Sequence, residues 1–218
     1  ILGLFPYEGR SHYDVFEPLL NKLARDGHDM TIASHFPPKI PMDNWYQINL
    51  SNSKNKSGKE IIDMTSFDSS LGRFLHVWDT FSIAEISIAT CDTMTLNPKV
   101  KSIVDTKQKF DIVLTEQFLS DCGLAIAHIL DCPVIGLQSH AMMPWTHDRF
   151  DQPNNPAYVP TLLLKYGSHM SFLERVENTL FDIYYKLFYE LYVLKREQAI
   201  VEKNLNHSIP PLGDIAKN

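Results

Sequence analysis

The chain has 218 residues, a formal net charge of −6 and an apolar fraction of 44%, which allows one large domain or two small ones with a substantial core. Lys and Arg are scattered along it, which argues against a nucleic-acid surface built on a basic patch. No run reaches the ~18–20 apolar residues of a membrane span.

Ile1-Leu2-Gly3-Leu4-Phe5 is a short apolar run that reads as a buried strand. Pro6 to His12 breaks it. Asp14 to Asp26 has helical periodicity with Val15, Leu19, Leu20 and Leu23 on one face, and Gly27 stops it. Asp29–Ser34 is the next strand and Asp43–Asn49 a weaker one. Residues 51–60 are polar and read as a mobile loop. Residues 70–95 are helical, with Leu71, Phe74, Leu75, Trp78, Ile83 and Ile86 at helical spacings, and Asn97-Pro98 opens a helix ending near Lys107. Asp111–Thr115 is a buried strand, Ser120–Leu130 a helix and Pro133–Gln138 a strand. Residues 139–170 are irregular, and 171–203 form one long helix or two. This alternation predicts an α/β fold: a Rossmann-like, doubly wound parallel sheet with right-handed crossovers.

In such sheets ligands bind beyond the carboxyl ends of the strands. His12 falls at that end, beside a helix N-terminus whose positive dipole disfavours imidazolium. A neutral imidazole is what a general base for a hydroxyl requires, with a carboxylate to orient its other nitrogen. Glu116, directly after strand 111–115, and Asp121 in the same turn are the candidates. The bland alternative is that His12 caps the helix and both acids are ordinary loop carboxylates. One glycine in the first turn is not GxGxxG, and GxxxxGK[ST] is absent, so that turn is not a nucleotide-phosphate cradle.

Ser139 lacks a GxSxG setting, and His140, His147 and Asp148 fit no metal-ligand spacing, so no metal is expected. Met142, Met143 and Trp145, with Phe74, Trp78 and Phe81, suggest an adaptable apolar pocket near the strand ends. The cysteines Cys91, Cys122 and Cys132 are odd in number and form no CxxC, which favours three buried thiols over one disulfide and a free thiol. Asn49, Asn55 and Asn206 begin N-glycosylation sequons. The chain has no signal peptide and no initiating Met, and residues 205–218 read as a linker, so the expectation is one part of a longer protein.

Several segments together resemble the N-terminal half of family 1 UDP-glycosyltransferases, insect members above all. They are Phe5-Pro6 with Gly9-Arg10-Ser11-His12, Val15 to Leu20 with Gly27-His28, Phe110-Asp111 with Leu114 to Phe118, Pro133 to Gly136, and Met143-Pro144-Trp145 with Asn155 to Tyr158. The resemblance covers essentially all 218 residues. It implies a GT-B enzyme whose first domain, residues 1–218 here, holds a small lipophilic acceptor such as a phenol, steroid or xenobiotic. No cofactor is expected in this domain; a second, C-terminal domain would hold the UDP-glucose or UDP-glucuronate donor. It implies an inverting transfer with His12 as base. The family has an Asp as partner; the matching position here is Glu116, whereas Asp121 keeps the residue type. Acceptor contacts are expected from Ser11, Phe74, Trp78, Phe118, Ser139, Met142, Met143 and Trp145. The family also implies detoxification in the endoplasmic reticulum lumen by a glycoprotein anchored through a C-terminal membrane helix. The competing expectations are a non-catalytic lipophilic binding domain and a hydrolase using Ser139 or Cys122.

Overall fold

In a computed structural model of the chain, the structure describes residues 1–51, 70–149, 152–162 and 164–217, without the side chains of 70–79 and of Asp148. Five short strands, β1 (Leu2–Phe5), β2 (Met30–Ser34), β3 (Trp45–Asn49), β4 (Val113–Glu116) and β5 (Val134–Leu137), form one sheet. Its order is β3-β2-β1-β4-β5 and every pairing is parallel. The expected α/β, Rossmann-like architecture is therefore present. The helices are α1 (Arg10–Arg25), α2 (Ser70–Leu96), α3 (Pro98–Asp105), α4 (Cys122–Ile129), α5 (Phe172–Phe188), α6 (Lys195–Leu205) and α7 (Leu212–Ile215). A 3-10 turn at His147–Arg149 precedes α5, and a π-helical segment, Tyr189–Leu194, joins α5 to α6.

Strand side chains alternate between the two faces, and two apolar clusters result. Phe5, Ile32 and Leu114 pack on α1 through Tyr13, Phe16, Leu20 and Ala24. Leu2, Leu4, Ile48 and Val113 face the larger cluster, built with Met94, Ile126, Tyr189, Val201 and Leu205. The helix α1 starts at Arg10, four residues before the sequence reading placed it, and its buried stripe is turned from the expected one. Val15 is 54% and Leu19 43% exposed, because Tyr13, Phe16, Leu20 and Ala24 reach the sheet instead. Periodicity gave the helix; the angle at which β1 delivers the chain chose the face.

The pairing of thiols also departs from expectation. Cys91 in α2 and Cys122 at the start of α4 form a disulfide, with Cα atoms 5.6 Å apart. Two cysteines 31 positions apart carry no local pairing signal; they meet because α2 and α4 pack on the same face of the sheet. Cys132 is free. Within 205–218, the segment expected to be a linker, Ile209, Leu212 and Ala216 are buried. Most of the 51–60 stretch, including the Asn55 sequon, lies outside the described residues. Asn49 and Asn206 are exposed.

Candidate active site

The strand order reverses between β1 and β4, and a crevice for ligands forms at such a switch point, beyond the strand ends. The chain leaves β1 through Pro6–Gly9 and enters α1. A Cβ on Gly9 would sit 2.3 Å from the Tyr7 ring, so glycine lets that ring fold back, where it meets His12 edge-on at 4.7 Å. His12 follows in the first turn of α1. On β4, Leu114 and Glu116 point to the α1 side, while Thr115 points to the other. There it abuts Gly123, whose Cβ would lie 2.3 Å from the Thr115 hydroxyl.

His12 and Glu116 thus converge. His12 Nδ1 donates to Glu116 Oε1 at 2.6 Å, the imidazole 20% exposed and the carboxylate 5%. A carboxylate oxygen accepts, so Nδ1 carries the hydrogen and Nε2 keeps the lone pair. Ser139, after β5, reaches the same Glu116 oxygen at 3.5 Å. Phe118 and His140 complete an aromatic group around the imidazole: Phe118 lies 4.6 Å from the His12 ring and 4.7 Å from His140, and His140 lies 5.7 Å from His12. The His140 Nδ1 donates to the Ala141 carbonyl, and its Nε2 is buried with no hydrogen-bond partner among the described residues. Burial, and then the proximity of His12, hold His140 below the usual imidazole range. Burial, and then Glu116, push the Tyr7 phenol up.

Asp121 does not reach the imidazole. It is buried in a bidentate pair with Arg149, whose Nε lies 3.1 and 3.0 Å from the two carboxylate oxygens. Burial works against the Arg149 charge, and Asp121 outweighs it, leaving the guanidinium raised above its ordinary value. Arg149 was not singled out in the sequence; its spacing within an irregular stretch distinguishes it in no way. Met143 and Trp145 are buried, Trp145 stacked on Tyr189 at 4.7 Å and donating to the Phe118 carbonyl at 3.3 Å. Trp145 thereby braces the turn that carries Phe118. Met142 is half-buried and Ser11 is exposed. The Phe74 and Trp78 side chains lie outside the described residues.

A crevice about the size of one water lies behind the pair, lined by Pro6, Tyr7, Thr115, Glu116, Phe118 and Ser120. A larger cavity, about 470 Å³, lies elsewhere, between the start of β5, the end of α4 and α7. Cys91, Cys122 and Glu197 lie close together, but the two sulfurs are bonded to each other and offer no thiolate. At the strand ends an imidazole is thus held through Nδ1 by a buried carboxylate and ringed by aromatic side chains, an arrangement that could take up a proton at Nε2.

The profile of the family described as UDP-glucoronosyl and UDP-glucosyl transferase matches residues 22–209. The chain is 34% identical to UDP-glucosyltransferase 2 of Dactylopius coccus, over all of this chain and 42% of that protein. It is 29% identical to UDP-glycosyltransferase UGT5 of the same insect, over all of this chain and 41% of the relative. Similarity to UDP-glucuronosyltransferase 2B7 of Rattus norvegicus is 26% over 85% of the chain and 37% of that protein. The chain thus spans about two fifths of the length of these relatives. No solved structure matches it.

Proposed function

The chain belongs to the UDP-glucuronosyl and UDP-glucosyl transferase family, and from that premise we propose that it is the acceptor-binding part of an enzyme transferring sugar from a UDP-sugar to a hydroxyl. The observation that carries this reading is the 2.6 Å contact between His12 Nδ1 and Glu116 at the switch point of the sheet. It leaves Nε2 as the proton acceptor. The acceptor hydroxyl gives its proton to Nε2 while its oxygen forms a bond to the anomeric carbon. The bond from that carbon to the UDP oxygen breaks on the opposite face, UDP leaves with the electron pair, and the centre inverts. Glu116 holds the tautomer and stabilises the imidazolium that forms. General-base assistance of this kind contributes about 10²–10⁴-fold to a rate.

Phe118, Tyr7 and His140 surround the base with rings, which suits a small lipophilic acceptor carrying one hydroxyl. The donor, UDP-glucose or UDP-glucuronate, is assigned to a second domain of the whole protein, and residues 1–218 to the acceptor domain. An oxidising compartment, the endoplasmic reticulum lumen, is supported by the Cys91–Cys122 disulfide. A membrane anchor is proposed outside these residues; among the described residues no helix is long and apolar enough to cross a membrane.

The test is transfer by the complete protein from each of the two UDP-sugars to a panel of phenols and steroids. Product with inverted anomeric configuration supports the reading. Tight binding of the same acceptors with no transfer from either donor favours a non-catalytic binding domain instead.

A further inference from the structure

Beneath the His12–Glu116 pair, the turn between β4 and α4 is fastened by a buried group of polar side chains that the mechanism does not use. Ser87 in α2 places its hydroxyl oxygen 2.5 Å from the Leu119 carbonyl and 2.7 Å from Glu197 Oε1. Tyr189 donates its own proton to the Leu119 carbonyl at 3.0 Å. The other Glu197 oxygen accepts from the Asp121 backbone N–H at 3.1 Å. Glu197 is fully buried.

The protons can be counted. A serine hydroxyl has one hydrogen to donate, and a carbonyl has none. Two short oxygen–oxygen contacts meet at Ser87, so one hydrogen must come from its other partner. Since Leu119 contributes only a carbonyl, that partner is Glu197. We infer that Glu197 is a positioning residue that stands as a neutral carboxylic acid at neutral pH, donating to Ser87 and so pinning the turn that follows Glu116.

The surrounding charges agree. Asp121 from the turn and Arg149 from the 3-10 segment pair with each other, so an ionised Glu197 would put a second buried carboxylate against the single guanidinium that also feels it. Tyr189 from the π-helical segment brings no positive charge, Ser87 and Ser120 are uncharged, and the Cys91–Cys122 sulfurs do not titrate. Burial, then Asp121, push the Glu197 carboxyl up to about 8, against the downward pull of Ser87, Ser120 and the Asp121 N–H. Above that pH the Glu197 proton leaves, Ser87 can serve only one of its two acceptors, and the turn carrying Glu116 and Phe118 loses a fastening. The link from this turn to catalysis rests on the function proposed above; the protonation state does not.

The experiment compares wild type, Glu197→Gln and Glu197→Ala in the complete protein, by thermal unfolding and by sugar transfer, from about pH 5 to about pH 10. The amide of Gln is neutral and can donate to Ser87. Transfer by Glu197→Gln at neutral pH is expected within about twofold of wild type, and that of Glu197→Ala at least tenfold lower, about 1.4 kcal/mol of barrier. Wild-type transfer should fall through an apparent midpoint near 8 that the Gln variant lacks. Relative to the Gln variant, wild type should lose unfolding midpoint as pH rises toward 8 and level off beyond it, because the folded state holds a proton the unfolded chain has released. A Gln variant as impaired as the Ala variant at neutral pH, or one sharing the wild-type alkaline limb, overturns the proposal. If neither variant folds, the infrared spectrum of wild type decides. A carboxylic-acid carbonyl band present at neutral pH and lost on alkalinisation supports it, and its absence at neutral pH overturns it. A protein that transfers no sugar but shows the unfolding difference developing as pH rises toward 8 overturns only the functional reading.

Discussion

The Glu116 carboxylate meets His12 Nδ1 at 2.6 Å across 104 residues of sequence. The contact follows from topology. β1 and β4 are neighbours in register, with Leu4 opposite Thr115, so the residue ending β4 faces the first turn of the helix leaving β1. Asp121, five residues on, is turned to the opposite side by α4 and neutralised by Arg149. The two carboxylates therefore have separable roles, and substitutions should tell them apart.

Glu116→Gln keeps a side chain of the same shape but cannot hold Nδ1–H as a carboxylate does. Transfer should drop by about 10²-fold or more, with acceptor binding and unfolding temperature little changed. Steady-state kinetics beside calorimetry reads both.

Asp121→Asn should do the reverse. It leaves the Arg149 guanidinium, 6% exposed, without its counter-charge, and breaking a buried pair this way costs about 3–5 kcal/mol. Denaturant unfolding should show that loss, while any folded fraction retains the proton-transfer pair. Loss of turnover at full stability would instead give Asp121 a chemical role.

Reduction of the Cys91–Cys122 disulfide should lower stability by about 2–4 kcal/mol, since it closes a loop between residues 31 apart. Unfolding with and without reductant measures it. Under non-reducing conditions a thiol reagent should label Cys132 alone among the three cysteines.

Stability should also fall on the acid side. His35 and His140 are held below the usual imidazole range, chiefly by burial. Unfolded imidazoles take up protons below about pH 6.5 while these two resist until lower pH. The stability they contribute is present above that value and lost as pH falls through their lowered folded values. A His140→Gln variant should show a shallower acid decline in unfolding midpoint than wild type.

The fold was legible because each β-α-β unit is written locally: an apolar run, a turn, a periodic helix. The patterns from Ile1–Phe5 through Ser34 and from Asp111 through Gln138 lie within a few residues of the observed elements. The pairing of His12 with an acid after strand 111–115 was also foreseeable, because parallel neighbours bring strand ends together. What could not be read was set by packing angles and by chain segments far apart. Val15 and Leu19 looked like core and face outward, because a helix pattern does not fix its rotation to within one residue. Cys91 met Cys122, and Ser87 met Glu197, only through the stacking of α2, α4 and α6. Trp145 stacks on Tyr189, a ring in a distant π-helical segment that no local pattern ties to it.

The most direct measurement is sugar transfer by the complete protein with His12 replaced by Ala, beside acceptor affinity measured on the same preparation. The account expects transfer to fall by about 10²–10⁴-fold with affinity for the acceptor nearly unchanged, because the imidazole moves a proton rather than supplying the apolar contacts. Full transfer by His12→Ala would contradict it.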